Sequence, residues 1–130
     1  RFMNRVMTWL GAFPVSRGES DLSAMRTSLK LLADGEALGI FPEGHRYVDG
    51  EMHEFGNGLA LIALRSGAPV VPAYIQGSYR LFRRVTVTVG APVALDDLGR
   101  RCDSRTLSAA TERIQNAMRA LREDDVKKVC

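Results

Sequence analysis

The sequence predicts an α/β domain in which a mixed, largely parallel sheet is flanked by helices. Three observations carry that prediction. Short apolar runs at 12–15, 37–41 and 70–75 alternate with stretches of helical periodicity, the order that builds βαβ units with right-handed crossovers. Each of the first three helical stretches stops at a glycine (Gly11, Gly35 and Gly67), the residue best able to leave a helix. A later run, Val85-Thr86-Val87-Thr88-Val89, alternates as a strand with one face buried does. At 130 residues, the chain reads as one domain over 1–130, long enough for a core and too short for two.

Taken in order, residues 2, 3, 6, 7, 9 and 10 are apolar, a helical spread interrupted by Asn4, Arg5 and Thr8. Ala12-Phe13-Pro14-Val15 follows as a short strand, and Pro14 places it at an edge or a bulge. Ser20 or Asp21 can cap a helix carrying Leu22, Met25, Leu29 and Leu32 at 3/4 spacing. Residues 37–41 form the next strand, and 42–56 a long polar loop of the kind that is usually functional or mobile. Asn57 can cap a helix over 58–65 that is apolar nearly all round and should be buried. Residues 70–75 make the third strand, 76–84 a connector and 85–89 the fourth. Ser104 caps a last helix with Leu107, Ala110, Ile114, Met118 and Leu121 on one stripe, and residues 123–130 are expected to fray.

Composition excludes several classes of protein. Lys plus Arg number 18 against 15 Asp plus Glu, a net charge of +3, which suits an anionic ligand or membrane surface but not nucleic acid. Two cysteines, Cys102 and Cys130, make neither a disulfide framework nor a metal spacing, so a reducing, cytoplasmic setting is expected. No run approaches the roughly 20 apolar residues of a membrane-spanning helix. The chain opens on Arg rather than Met, which reads as a piece of something longer, truncated at its N-terminus.

The chemistry gathers around Phe41-Pro42-Glu43-Gly44-His45-Arg46. An apolar strand running into a proline and then presenting a carboxylate, a glycine and a guanidinium delivers charge to a fixed place. If the strands at 12–15 and 37–41 are parallel, Arg17 and Glu43 leave the sheet from the same edge, where open α/β sheets bind ligands. Arg17 and Arg46 are planar forks suited to phosphate or carboxylate, and Gly18 and Gly44 let backbone N–H groups approach an anion. Without further context, Glu43 paired to Arg46 on a surface loop explains the same residues.

Phe41-Pro42-Glu43-Gly44-His45-Arg46 resembles the Phe-Pro-Glu-Gly-Thr-Arg block of the glycerolipid acyltransferases, the lysophosphatidic acid acyltransferase superfamily. Gly11 to Arg17 resembles the preceding block of that family, and Val70 to Ile75 the following Val-Pro-Val block. The three stand in family order over roughly residues 5–80. The resemblance implies a glycerolipid acyltransferase-like αβ domain. It also implies transfer of a fatty acyl group from acyl-CoA or acyl carrier protein, as cosubstrate, to 1-acyl-glycerol-3-phosphate or a similar lysophospholipid acceptor. Arg17 would bind the acceptor phosphate, Glu43, Gly44 and Arg46 would position the acceptor, and Pro72 would shape the acyl or donor side. No metal or other cofactor is implied. The protein would work peripherally on the inner face of the membrane, in phospholipid biosynthesis.

The family's catalytic motif, a histidine followed after four residues by an aspartate, is not in this chain. His45 has Gly50 at the required offset and His53 has Gly58. A positioned general base contributes roughly 10²–10⁴-fold, so the 130 residues alone are expected to be a poor catalyst or none. Two smaller departures stand out: His45 and Tyr47 replace small hydroxyl residues, and Gly56 stands where many relatives carry lysine.

Other readings of the same residues lead elsewhere. A non-catalytic module binding lipid or anions is the alternative from a different class. His45, Asp49, Glu51 and His53 share a loop but no recognised metal-ligand spacing. Tyr79, Arg80, Phe82, Arg83 and Arg84 interleave rings and cations as a single-strand or membrane surface would, although a polar turn with anchoring rings accounts for them.

Overall fold

In the computed structural model, the described residues are 2–9, 11–13, 22–43, 52–77 and 85–129. They fall into two compact units, residues 1–38 and 39–130.

The first unit holds α1 (Phe2–Trp9) and α2 (Leu22–Ala33). Gly11 ends α1 as expected, at φ 86°, with its N–H on the Thr8 carbonyl at 3.0 Å. Gly35 ends α2 at φ 81°. Its N–H reaches the Leu32 carbonyl at 3.2 Å while Glu36 N–H reaches that of Leu31 at 3.0 Å, the paired bonds of a Schellman motif. The buried positions of α2 are Ala24 and Ser28, whose hydroxyl donates to the Ala24 carbonyl at 2.8 Å. Met25, Leu29 and Leu32 are half-buried and Leu22 is exposed. Ala12 and Phe13 take no strand conformation; Pro14, Val15, Ser20 and Asp21 lie outside the described residues.

The second unit contains α3 (Asn57–Ser66), β1 (Ala73–Gly77), β2 (Val85–Val89), a 3-10 turn (Asp96–Leu98) and α4 (Ser104–Val129). Here the expected sheet is corrected. Among the described residues the sheet has two strands, β1 and β2, and they run antiparallel, from Ala73 opposite Val89 to Gly77 opposite Val85. A largely parallel sheet is not what these strands form. The third strand begins three residues later than expected because Pro72 has no N–H to give a ladder. Its carbonyl accepts from Gly90 N–H at 2.9 Å, and Val70 pairs only in an isolated antiparallel bridge with Val93. Residues 37–41 pair with no strand among the described residues, and without a ladder or cover Phe41 stays 83% exposed.

The valine face of β2 is the second correction. Val85, Val87 and Val89 are exposed, and so is Ile75 of β1, while Tyr74, Gln76 and Thr88 on the alternate side are half-buried. Alternation marks which residues share a face, and packing decides which face is covered. Helix α4 packs against both strands.

The core lies between α3 and α4. Ala60, Leu64 and Ala110 form its buried centre, with Leu95, Leu98, Cys102 and Leu107 packed around them. Gly67 closes α3 in the left-handed region, φ 69°, with its N–H on the Ala63 carbonyl at 2.9 Å. Gly56, not Asn57, occupies the N-cap of α3, and Asn57 starts the helix itself. Asp103 rather than Ser104 caps α4, its Oδ1 accepting the Thr106 N–H at 2.8 Å. The helix continues for 26 residues to Val129, about 39 Å, through the stretch expected to fray. Arg113 grips Asp97 through two parallel bonds of 2.5 and 2.7 Å and also donates to the Ala94 carbonyl, fastening the 3-10 turn to α4.

These contacts set how the fold responds to acid and to truncation of its core. The Arg113 bonds hold the Asp97 carboxyl below its ordinary value, and the Thr106 N–H does the same for Asp103. Both folded values are depressed, so their stabilisation is present above the ordinary value of 3.8 and is lost as pH falls through the folded values. Urea midpoints measured from pH 6 down to 2 will fall, and will fall less steeply in an Asp97→Asn, Asp103→Asn double variant. Leu64→Ala, at 4% exposure, will cost about 2–5 kcal/mol in the same unfolding assay.

Candidate functional site

Glu43 is the member of the predicted anion corner whose surroundings the structure describes most fully. Pro42 and Glu43 form a turn and are half-buried. Glu43 Oε1 accepts the backbone N–H of His53 at 3.4 Å, a long bond that closes the polar loop across ten residues of sequence. A carboxylate offers about four acceptor positions, and this bond takes one. Among the described residues Glu43 has no ion-pair partner. Arg17, Gly44 and Arg46 lie outside the described residues, as do His45 and Tyr47.

The segment that supplies this N–H is itself held by α4. Gln115 Nε2 donates to the His53 carbonyl at 3.3 Å. One helical turn earlier, Thr111 Oγ1 donates to Asn57 Oδ1 at 3.0 Å. Phe55 is buried between these two attachments in sequence, with 8% of its surface exposed. Residues 53–57 are thus held at both ends by hydrogen bonds and in the middle by an aromatic ring. The expected capping role of Asn57 is not what forms: its side-chain oxygen receives the Thr111 hydroxyl, and no side chain caps α3.

Pro72 is buried at the entrance to β1, with its carbonyl engaged by Gly90. A Cβ on Gly90 would come within 3.0 Å of Pro72 Cγ and 3.5 Å of the Leu121 methyls, so the glycine makes room for the proline ring under α4. Gly56 is open: at φ −74° a Cβ there would meet no atom within 4 Å, so a side chain can start from this position.

Thr111 and Gln115 escape a reading of the sequence because they lie far from every recognised block. A faint signal exists. They sit four apart, beside the apolar positions Leu107, Ala110, Ile114 and Met118, so two polar side chains interrupt a face that turns inward. Among the described residues no group of acidic, histidine and cysteine side chains is placed to hold a metal ion.

An αβ fold with a hydrogen-bonded carboxylate in a Pro-Glu turn is compatible with many proteins, and the comparisons narrow the class. The family model described as Acyltransferase matches residues 1–76. A 1-acyl-sn-glycerol-3-phosphate acyltransferase of Bacillus subtilis is 33% identical over 125 residues, covering 87% of this chain and 62% of that protein. A chloroplastic 1-acyl-sn-glycerol-3-phosphate acyltransferase of Brassica napus is 31% identical over 77 residues, 58% of this chain and 22% of that protein. One from Borreliella burgdorferi is 30% identical over 83 residues, 62% and 33% of the respective chains. The chain therefore spans less than two thirds of each of these relatives. No solved structure matches it. The chain belongs to the acyltransferase family.

Thr111→Val keeps the shape and removes the donor to Asn57. The loss will be about 1 kcal/mol of unfolding free energy by urea titration.

Proposed function

We propose that this chain is the acceptor-holding part of a glycerolipid O-acyltransferase. The observation that carries the reading is Glu43, half-buried in the Pro42-Glu43 turn and bonded to the His53 N–H, within the block that resembles the family's acceptor motif. The family match and relatives named 1-acyl-sn-glycerol-3-phosphate acyltransferases support it.

The reaction is attack of an acceptor hydroxyl oxygen on the carbonyl carbon of an acyl thioester. An ester forms, the carbon–sulfur bond breaks, and the hydroxyl proton ends on the released thiol of coenzyme A or acyl carrier protein. Arg17 binds the phosphate of 1-acyl-glycerol-3-phosphate, Glu43, Gly44 and Arg46 align its glycerol, and Pro72 shapes the acyl side. Proton removal belongs to the His-x4-Asp pair that this chain does not contain, so the 130 residues bind the acceptor without turning it over. The substrates are membrane amphiphiles, which suits work at the surface of a bilayer, and the reading places that work on the cytoplasmic face. Among the described residues no helix is long and apolar enough to cross a membrane.

Arg17→Ala and Glu43→Ala in the intact protein will each lower kcat/KM for lysophosphatidate at least tenfold, measured as thioester-dependent acylation. Unchanged rates in both would sink the assignment. Acceptor binding without acylation by the intact protein would favour the lipid-binding module. Gly56→Lys places a cation in open space beside the Phe55 anchor. It will lower KM for the phosphate acceptor while shifting unfolding free energy by no more than about 0.5 kcal/mol.

A further inference from the structure

We propose that Gln115 of α4 is a positioning residue for Glu43, acting through the backbone of His53; the proposal rests on the functional reading above. His53 is the hinge of the arrangement. Its N–H points at Glu43 Oε1, 3.4 Å away, and its carbonyl accepts Gln115 Nε2 at 3.3 Å. The His53 N–H and C=O lie in consecutive peptide planes joined by φ and ψ of that one residue, so an amide on α4 that holds the second plane narrows the range through which the N–H offered to Glu43 can swing.

The anchor is well placed for that task. Ala110, Thr111 and Ile114, immediately before Gln115, are all buried, so the helix carrying the amide is fixed against the core. Thr111 holds Asn57 from the same face, and Phe55 is buried between His53 and Asn57. Beside those two attachments, the Gln115 bond is a restraint on the His53 carbonyl itself. Without it the half-buried carbonyl turns toward water, and the long bond to Glu43 is lost first, because hydrogen bonds weaken steeply as they lengthen and bend. Gln115 lies beyond residues 1–76, where the family match runs, and 62 residues from the backbone it holds.

The chemistry of the amide separates positioning from packing. Gln115→Glu keeps the size and replaces the donor with an acceptor facing a carbonyl. Gln115→Lys keeps a donor at similar reach. In the intact protein, Gln115→Glu will raise KM for lysophosphatidate about fivefold with kcat nearly unchanged, and Gln115→Lys will restore most of the loss. Hydrogen exchange of the His53 amide, followed by NMR, will speed up in Gln115→Glu and stay near wild type in Gln115→Lys. Equal KM and equal His53 exchange in wild type and Gln115→Glu overturn the proposal, as does equal loss in both variants. A wild-type protein that acylates no lysophosphatidate overturns the functional reading instead. The His53 exchange rates then decide by themselves whether Gln115 governs the Glu43 bond.

Discussion

Ala60 on α3 and Ala110 on α4 are both at 0% exposure, and the rest of the larger unit depends on how closely those two positions let the helices approach. Methyl groups at a helix crossing keep the backbones near the short end of the usual range of about 8–10 Å. At that separation short polar side chains on one helix can reach the start of the other. Thr111 follows Ala110 directly and finds Asn57; Gln115 lies one turn on and finds the carbonyl of His53. Larger residues at the crossing would move α4 outward and take both donors out of hydrogen-bonding range.

Helix α4 therefore has two jobs along its length. Its first half closes the core over Leu64, Leu95, Leu98 and Cys102, fastens the 3-10 turn through Arg113 and Asp97, and holds residues 53–57. The helix also lies against the strands, and the Leu121 methyls of its second half come close to Gly90. Glu43 and Pro72, two residues picked out by motifs, are thus each joined to a residue that meets this helix: Glu43 to His53, which Gln115 holds, and Pro72 to Gly90, which lies by Leu121.

The local signals in the sequence are sound where a single residue's chemistry decides the outcome. Glycines with no Cβ end α1, α2 and α3 at Gly11, Gly35 and Gly67, all three in positive φ. The β2 strand is legible to the residue from its Val-Thr alternation. The three blocks, Gly11 to Arg17, Phe41 to Arg46 and Val70 to Ile75, point to the family together, through their residue types and their order. Signals fail where the outcome depends on competition between neighbours. Asn57 and Ser104 are both good caps, yet each stands one residue inside its helix, Asn57 bonded to Thr111 and Ser104 preceded by a better-placed Asp103.

The sequence by itself determined where the first three helices stop, which residues share a strand face, and that a carboxylate-glycine-guanidinium block follows an apolar segment. These depend on φ preference, side-chain period and residue order, all of which are local. Only the tertiary structure decided that the described strands pair antiparallel, that the valine face of β2 is the open one, and that His53 is bonded both to Glu43 and to Gln115 of α4. Strand direction, face burial and a hydrogen bond between residues 62 apart are settled by which surfaces pack together. The periodicity of one segment carries no information about its partner.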